Sequence, residues 1–147
     1  MVNDNIKLTG ELQIVVRDQN GQIKEQRVVP NLVVTAGKVQ LASRMLGTSV
    51  ASPSHMAVGT GNTAPVAGDT ALQTQLGSRV ALTSATQSTN VLTFVATFGA
   101  GVATGALTEA GIFNASTAGT MTCRTTFSTV NKDTLDSLTI TWNLTLN

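Results

Sequence analysis

The sequence predicts a mainly β protein, a single-domain antiparallel β-sandwich of jelly-roll-like form with one short helix. Threonine occurs 24 times among the 147 residues, and only 12% of the residues are charged. This composition favours extended strands over helices. Short segments that alternate apolar and polar residues recur between turns rich in Gly, Asn and Asp. About eight such strands in a chain of this length are typical of a sandwich, and the length suits one domain over residues 1–147.

The first part of the chain predicts a β-hairpin. Leu12, Ile14 and Val16 alternate with Gln13 and Arg17, which is the pattern of a half-buried strand. The Asp18–Gly21 segment supplies turn residues that tolerate positive φ, and residues 23–29 form the return strand. Residues 1–10 precede the alternation, and we expect them to form a flexible arm.

A helix is predicted next, over residues 36–46. Thr35 suits its N-cap, and Gly47 suits the position just past its C-terminus. An amphipathic helix turns an apolar stripe towards the core. The stripe predicted here consists of Val39, Ala42, Met45 and Leu46.

The middle of the chain, residues 47–77, is rich in Gly, Ser, Thr, Ala and Pro. It predicts a short strand at 55–58, a long loop over 59–70, and a short segment of either type at 71–76. A loop of this length in a compact domain is often functional or ordered by a partner.

The second half of the chain predicts only strands and turns. Its final strand has the clearest alternation in the sequence, with apolar residues at every second position from Leu138 to Leu146. A polar turn at 85–89 and a glycine-rich loop at 99–105 separate the preceding strands. The predicted strands are 79–84, 90–98, 107–113, 120–127 and 138–146, with a polar connection over 130–136.

The charges are few and unevenly placed. Formal net charge is +1, so we expect neither nucleic acid nor a membrane surface as a partner. The first residues lack an apolar signal core and no apolar run reaches the roughly 18 residues of a membrane helix, so we expect a soluble protein without an export signal. Between Thr48 and Asn131 the only charged residues are Asp69, Arg79, Glu109 and Arg124. Either partners cover this half, or threonine and asparagine keep it soluble.

Little in the sequence suits catalysis. His55 is the single histidine and Cys123 the single cysteine, which excludes an internal disulfide and a multi-histidine metal centre. Cys123 lies in a predicted strand and is expected in the core. The segment Gly59–Ala64 loosely matches a dinucleotide-binding fingerprint, but Pro65 and more loop follow it where a helix is required. We interpret that segment as a glycine turn.

The acidic residues also favour structural roles. Asp133 and Asp136 lie in a polar connection, where a solvated turn is expected. Glu109 stands alone in an apolar strand, so it is expected to face solvent or to pair with Arg79 or Arg124. The sequence therefore predicts no enzyme: no catalytic residue, no metal site and no cofactor.

Several short blocks resemble small structural proteins of tailed bacteriophages. In order, they match the virion-proximal module of phage tail-fibre proteins, and the resemblance covers roughly residues 30–146. The resemblance extends to the module that docks to the virion and not to the shaft or receptor-binding tip of such fibres, so it implies docking to the virion. The matching blocks are Asn31–Lys38, His55–Pro65, Asp69–Leu72, Phe94–Phe98, Leu107–Asn114, Gly119–Met121 and Lys132.

The resemblance implies a non-enzymatic structural protein of a tailed-phage virion, a docking or anchoring subunit at the tail, neck or baseplate. Its implied partners are other virion proteins and further copies of itself, with a trimer favoured, and its implied location is the virion, assembled in the bacterial cytoplasm. The alternative is a capsid decoration or cement protein bound to the major capsid shell, with residues 1–10 lying along the capsid.

Two other classes of function are disfavoured. A hydrolase of cell-envelope polymer has too few catalytic groups to draw on. A carbohydrate- or receptor-binding module generally stacks sugars on exposed aromatic rings, whereas Trp142 lies on the apolar face of its strand. The residues predicted to form the docking interface are His55, Asn62, Pro65, Asp69 and Glu109.

Overall fold

A computed structural model describes residues 5–147, which form nine β-strands and one α-helix. The prediction of a mainly β protein with a single helix is confirmed. The helix, the only one among the described residues, is neither long nor apolar enough to span a bilayer. The elements are β1 (Leu8–Arg17), β2 (Ile23–Val33), α1 (Thr35–Met45), β3 (His55–Gly59), β4 (Val80–Ala81), β5 (Ser84–Ser88), β6 (Val91–Phe98), β7 (Gly105–Phe113), β8 (Met121–Lys132) and β9 (Ser137–Leu146).

The strands form one curled antiparallel sheet in the order β4-β3-β7-β8-β2-β1-β9-β6-β5. Strand β2 joins two parts of it. Most of β2 pairs with β1, whereas its last residues, Leu32 and Val33, pair with Arg124 and Cys123 of β8. We call β2, β1, β9, β6 and β5 the β9 half, and β4, β3, β7 and β8 the β7 half.

Both halves of the sheet contribute to one hydrophobic core. Leu12, Ile14 and Val16 of β1 and Trp142 of β9 are fully buried, and they belong to the same cluster as Ile112 of β7. The period-two patterns of the predicted first and last strands are therefore confirmed, and these strands pair with each other from Leu8–Leu146 to Arg17–Ser137. Because Trp142 is buried, its ring is not available for stacking on a sugar.

The predictions for residues 79–89 are wrong in detail. The predicted turn at 85–89 is largely strand β5, and the predicted strand at 79–84 is divided between two edges of the sheet. The chain crosses from one half to the other at two successive residues: Leu82 N donates to Ser54 O (2.9 Å), and Thr83 N donates to Val95 O (2.7 Å). All of β5 is exposed. An edge strand with no buried face needs no apolar alternation, so its polar sequence resembled a turn.

Other boundaries differ from the predictions as well. Strand β2 continues to Val33 instead of ending at residue 29, and residues 60–79 form no helix or strand, so the predicted segment at 71–76 is part of the long loop. Residues 130–132 complete β8 instead of belonging to a polar connection. Within the predicted arm over 1–10, residues 8–10 belong to β1, and Lys7 and Asn147 exchange backbone hydrogen bonds of 2.8 and 2.7 Å. The rest of that prediction, at residues 1–4, lies outside the described residues.

The helix turns the opposite face to the sheet from the one predicted. Of the predicted apolar stripe, Val39, Met45 and Leu46 are 59%, 80% and 86% exposed. Gly37 and Gln40 are buried instead. The helix N-cap is Val34, without a side-chain cap, instead of the predicted Thr35.

The contact between α1 and β8 is polar and close. A Cβ atom at Gly37 would overlap the backbone carbonyl of Thr122, so the absence of a side chain lets the helix lie against the strand. Thr122 Oγ1 donates to Gln40 Oε1 (2.8 Å), and Gln40 Nε2 donates to Ala51 O (2.7 Å). Satisfied hydrogen bonds therefore hold this contact, and Ala36 adds apolar packing against the cluster that contains Met121.

The glycine-rich loop between β6 and β7 is tied to the turn between β8 and β9. The buried Lys132 donates from Nζ to Gly99 O (2.8 Å), and Gly101 N donates to Thr134 O (2.7 Å). Burial lowers the pKa of the Lys132 amine below its usual range. These bonds fix the loop from within the same chain.

The turn between β8 and β9 also makes the stability of the fold pH-dependent. Lys24 Nζ donates to Asp136 Oδ2 (2.7 Å), and this bond, more than any other contact, holds the pKa of the Asp136 carboxyl below its ordinary value. A depressed folded pKa stabilises the fold above the unfolded pKa, about 3.9 for Asp, and this contribution is lost as the pH falls through the folded pKa.

We expect the substitution Asp136→Asn to reduce the loss of stability on acidification. Urea unfolding midpoints measured between about pH 2 and 6 should show wild type and variant converging at the acidic end. Asp133→Asn is the matched control, because Asp133 is 77% exposed at its side chain and its loss leaves the Lys24–Asp136 pair in place. Parallel pH profiles for wild type and Asp136→Asn would contradict the prediction.

Candidate functional site

The one acidic residue of β7, Glu109, lies fully buried on the face of the β7 half that is turned away from the main core. Its carboxylate anchors the long loop between β3 and β4. Oε1 accepts hydrogen bonds from the backbone N–H groups of Gly61 (3.1 Å) and Thr74 (2.7 Å). Oε2 accepts from Gln73 N (3.0 Å) and from Nε and Nη2 of Arg124 (3.1 and 3.0 Å). A single side chain thus joins both arms of the loop to the sheet.

Arg124 of β8 extends this network. It is almost fully buried, and the Glu109–Arg124 pair is the second of the two pairings expected from the sequence. Arg124 Nη1 donates to Asp69 Oδ2 (2.9 Å), and Nη2 donates to Thr63 O (2.9 Å). Asp69 Oδ2 also accepts from Val66 N (3.0 Å). The middle of the loop is therefore fixed to the sheet through the same guanidinium.

Two glycines let the two arms of the loop lie close to each other. A Cβ atom at Gly59 would overlap the carbonyl of Thr74, and one at Gly61 would meet the side chains of Gln73 and Glu109. Gln73 Oε1 accepts from the backbone N–H groups of Asn62 and Thr63, both at 3.0 Å. Gly59 ends β3, and loop instead of helix follows it, so the strand-to-helix turn that the dinucleotide fingerprint requires is not formed here.

The hydrogen bonds of Glu109 and Arg124 are all made within the chain, and they hold the loop. Both oxygens of Glu109 are occupied by donors of the chain, and the guanidinium of Arg124 is directed at acceptors of the chain. Among residues 5–147, no group of three or more His, Cys, Asp and Glu side chains is placed to hold a metal ion.

The structure brings four of the five predicted interface residues together. Asn62, Pro65 and Asp69 lie in the loop, and Glu109 holds it from below. Because Glu109 is fully buried, it can influence a docking surface only by fixing this loop. His55 lies at the far end of β3, half-buried, with Nδ1 2.8 Å from Ser54 Oγ.

Arg79, the other expected partner of Glu109, has a different role. Its guanidinium lies 3.5 Å from the ring centroid of Phe113 and donates to the carbonyls of Ala115 (2.9 Å) and Ala118 (2.7 Å). The sequence did not identify Gln73 and Thr74 as anchors. Both bond Glu109 through backbone N–H groups, which any residue supplies, and the side-chain contacts of Gln73 arise only from the path of the loop.

All four charged residues between Thr48 and Asn131 are therefore used within the chain. Asp69, Glu109 and Arg124 form one network, and Arg79 bonds the loop after β7. The surface formed by residues 48–131 presents polar hydroxyls, amides and apolar groups, and its few charges are engaged with the chain itself. Such a surface differs from the usual solvated one, which carries mixed charges throughout.

We expect Cys123 to be inert towards thiol reagents in the folded protein. The residue is fully buried in the main core, and burial raises the pKa of its thiol far above the ordinary value. Labelling with a maleimide or disulfide reagent should proceed only on unfolding, at a rate that rises with urea. Rapid labelling in native buffer would contradict the burial of this side chain.

Fold and site together define a class: a mainly β domain whose longest loop is fixed by a buried ion pair. Comparison with family models, with curated proteins and with solved structures finds no match to this chain. The resemblance to tail-fibre modules therefore rests on the motifs of the sequence.

Proposed function

We propose that this protein is a non-enzymatic structural subunit of a tailed-phage virion, which docks at the tail, neck or baseplate. The observation that carries the proposal is the surface of residues 48–131, whose charges are all engaged within the chain. Desolvating a charge without a partner is costly, so a surface lacking such charges can be covered by another protein at little electrostatic cost. The tail-fibre-like motifs of the sequence supply the virion context.

The docking surface in this proposal is the loop fixed by Glu109 and Arg124, with the uncharged face of helix α1 that carries Thr35, Val39 and Ser43 beside it. Thr35 N donates to Ala67 O (2.8 Å), which places the loop against the start of the helix. Val66 and Val39 are both more than half exposed there. A loop held rigid before binding loses little conformational entropy when it docks.

The partners we propose are other virion proteins and further copies of this chain, with a trimer as the favoured oligomer. The finer fold, a jelly-roll-like sandwich, belongs to the same proposal, with the two halves of the sheet acting as its layers. Localisation on the particle tests the function. Antibody labelling of the purified parent phage should mark the neck or tail end in electron micrographs. Label over the whole head would overturn this proposal in favour of capsid decoration.

A matched pair of variants tests the docking surface. Val66 and Val28 are 57% and 61% exposed, but Val28 lies on β2, among the charged residues of the chain. We expect Val66→Asp to fold but to be lost from particles, because it places an unpaired charge in the contact. Val28→Asp should be incorporated normally. Equal incorporation of both variants would place the docking surface elsewhere.

A further inference from the structure

Strand β5 is an unprotected edge of the sheet. It pairs with β6 on one side, and no strand among residues 5–147 lies on its other side. All five of its residues are exposed, and no charged residue occurs anywhere between Arg79 and Glu109. Edge strands that remain unpaired usually carry lysine, proline or a bulge that prevents pairing with another chain. Residues 84–88 contain neither lysine nor proline, and their register with β6 is regular.

By contrast, the opposite edge of the sheet is short and covered. Strand β4 has only two residues. Behind it, β3 is covered by the anchored loop, where Leu76 N donates to Val58 O (2.9 Å) and Gly59 bridges to Gln75. Of the two outermost strands, only β5 therefore offers a free edge. Residues 23–31 of β2 also pair on one side only, but they carry Lys24, Arg27 and Pro30, which oppose pairing with another strand. Head-to-tail pairing, in which one edge meets the other and a ring forms, lacks its second strand.

The hairpin geometry identifies the backbone groups on the free side of β5. The two-residue turn Thr89–Asn90 joins β5 to β6, so the flanking pair Ser88–Val91 exchanges hydrogen bonds. In an antiparallel pair the residues alternate, so the N–H and C=O groups of Ala85 and Gln87 point away from β6. The ligand that satisfies such a row of donors and acceptors is another extended strand.

The sequence of β5 is complementary to itself. When two copies run antiparallel with Thr86 opposite Thr86, Ala85 faces Gln87 and Ser84 faces Ser88. The outward backbone groups of Ala85 and Gln87 then meet as a hydrogen-bonded pair. Thr86 occupies the close, non-bonded position on the axis, where threonine side chains can hydrogen-bond across strands. No like charges meet in this register.

We propose that two copies of this protein associate edge to edge through β5, on a twofold axis at Thr86, so that their sheets become continuous. The contact is isologous and closes as a dimer. Five residues a side bury less area than a standard interface, so the dimer is weak and depends on concentration. This contact does not require the virion role. The proposed trimer is a contact of the assembled particle, so the isolated chain tests the β5 contact alone.

Sedimentation equilibrium of the full chain tests the contact, between about 1 and 500 µM. Wild type should pass from monomer to dimer over this range. Ala85→Pro removes one outward N–H and leaves the β6 ladder intact, and Thr86→Lys places two positive charges on the axis. Each should weaken the dimer at least about tenfold. Thr97→Lys, at an exposed threonine of β6 outside the β5 pairing register, should leave it unchanged.

A mixture of charge variants separates a lost contact from a lost fold. Thr86→Lys and Thr86→Glu should each be monomeric alone, and an equimolar mixture should dimerise, because opposite charges then meet on the axis. A monomer at every concentration of wild type would overturn the proposal. So would a dimer or trimer that all β5 variants leave unchanged. Particle labelling is a separate measurement, so failure here and failure of the proposed function are distinguishable.

Discussion

Replacing Glu109 with alanine is expected to lower the free energy of unfolding by about 3–5 kcal/mol. The substitution leaves the buried guanidinium of Arg124 without its main counter-charge. It also strips the acceptor from the backbone N–H groups of Gly61, Gln73 and Thr74. Each donor left buried and unpaired adds its own desolvation cost. Urea unfolding followed by tryptophan fluorescence measures the loss, since Trp142 lies in the core.

Two controls make this result specific. Asp133→Asn breaks an exposed ion pair to Lys24 and should cost no more than about 1 kcal/mol. Glu109→Leu combined with Arg124→Leu should cost less than the sum of the two single changes, because neither charge is then left alone. A loss of about 1 kcal/mol or less for Glu109→Ala would show that the pair does not hold the loop.

Gly37→Ala should destabilise the protein, although alanine is the better helix former. In an isolated helix this substitution stabilises the helix by about 0.8–1.0 kcal/mol. Here the added Cβ would overlap the carbonyl of Thr122, so the helix must move away from β8 and strain its Gln40 contacts. Overpacking of this kind costs about 1–3 kcal/mol.

The next residue along the helix is the natural comparison. Lys38 is exposed, so Lys38→Ala should leave stability within about 0.5 kcal/mol of wild type. Thermal melts of wild type and the two variants distinguish two effects of Gly37→Ala. Overpacking against Thr122 lowers the melting temperature, whereas helix propensity alone would raise it. A raised midpoint for Gly37→Ala would mean that propensity governs and that the close contact with Thr122 is absent.

The elements that the sequence predicted well are those with one buried face. The strict alternation from Leu138 to Leu146 and the shorter one from Leu12 to Val16 both lie on strands that face the core. The sequence did not predict strand β5, because neither of its faces is buried. Alternation of apolar and polar residues arises only where a strand buries one face. The helix was placed correctly but turned the wrong way, because a glycine and a glutamine fit the backbone of β8 better than a valine does.

Of the residues that form the anchoring network, only the charged ones could be predicted from the sequence. A lone acid in an apolar strand requires a partner, and Arg124 was one of the two basic residues that the sequence offered as partners of Glu109. Asp69 was singled out in the loop without any indication that it shares the same guanidinium. Gln73 and Thr74 bond Glu109 through main-chain N–H groups, which leave no trace in residue type. The side-chain contacts of Gln73 with Asn62 and Thr63 depend on the path of the loop.

The position of β1 between β2 and β9 has a consequence for folding kinetics. The pairing of Leu8 with Leu146 joins nearly the two ends of the sequence, so the centre of the sheet is its least local part. Closing so long a loop costs conformational entropy before the contacts that stabilise it can form, and folding rates fall as contacts become less local. On the ribosome, β1 and β2 can form their hairpin early, but that hairpin must wait with one edge open until β9 has emerged.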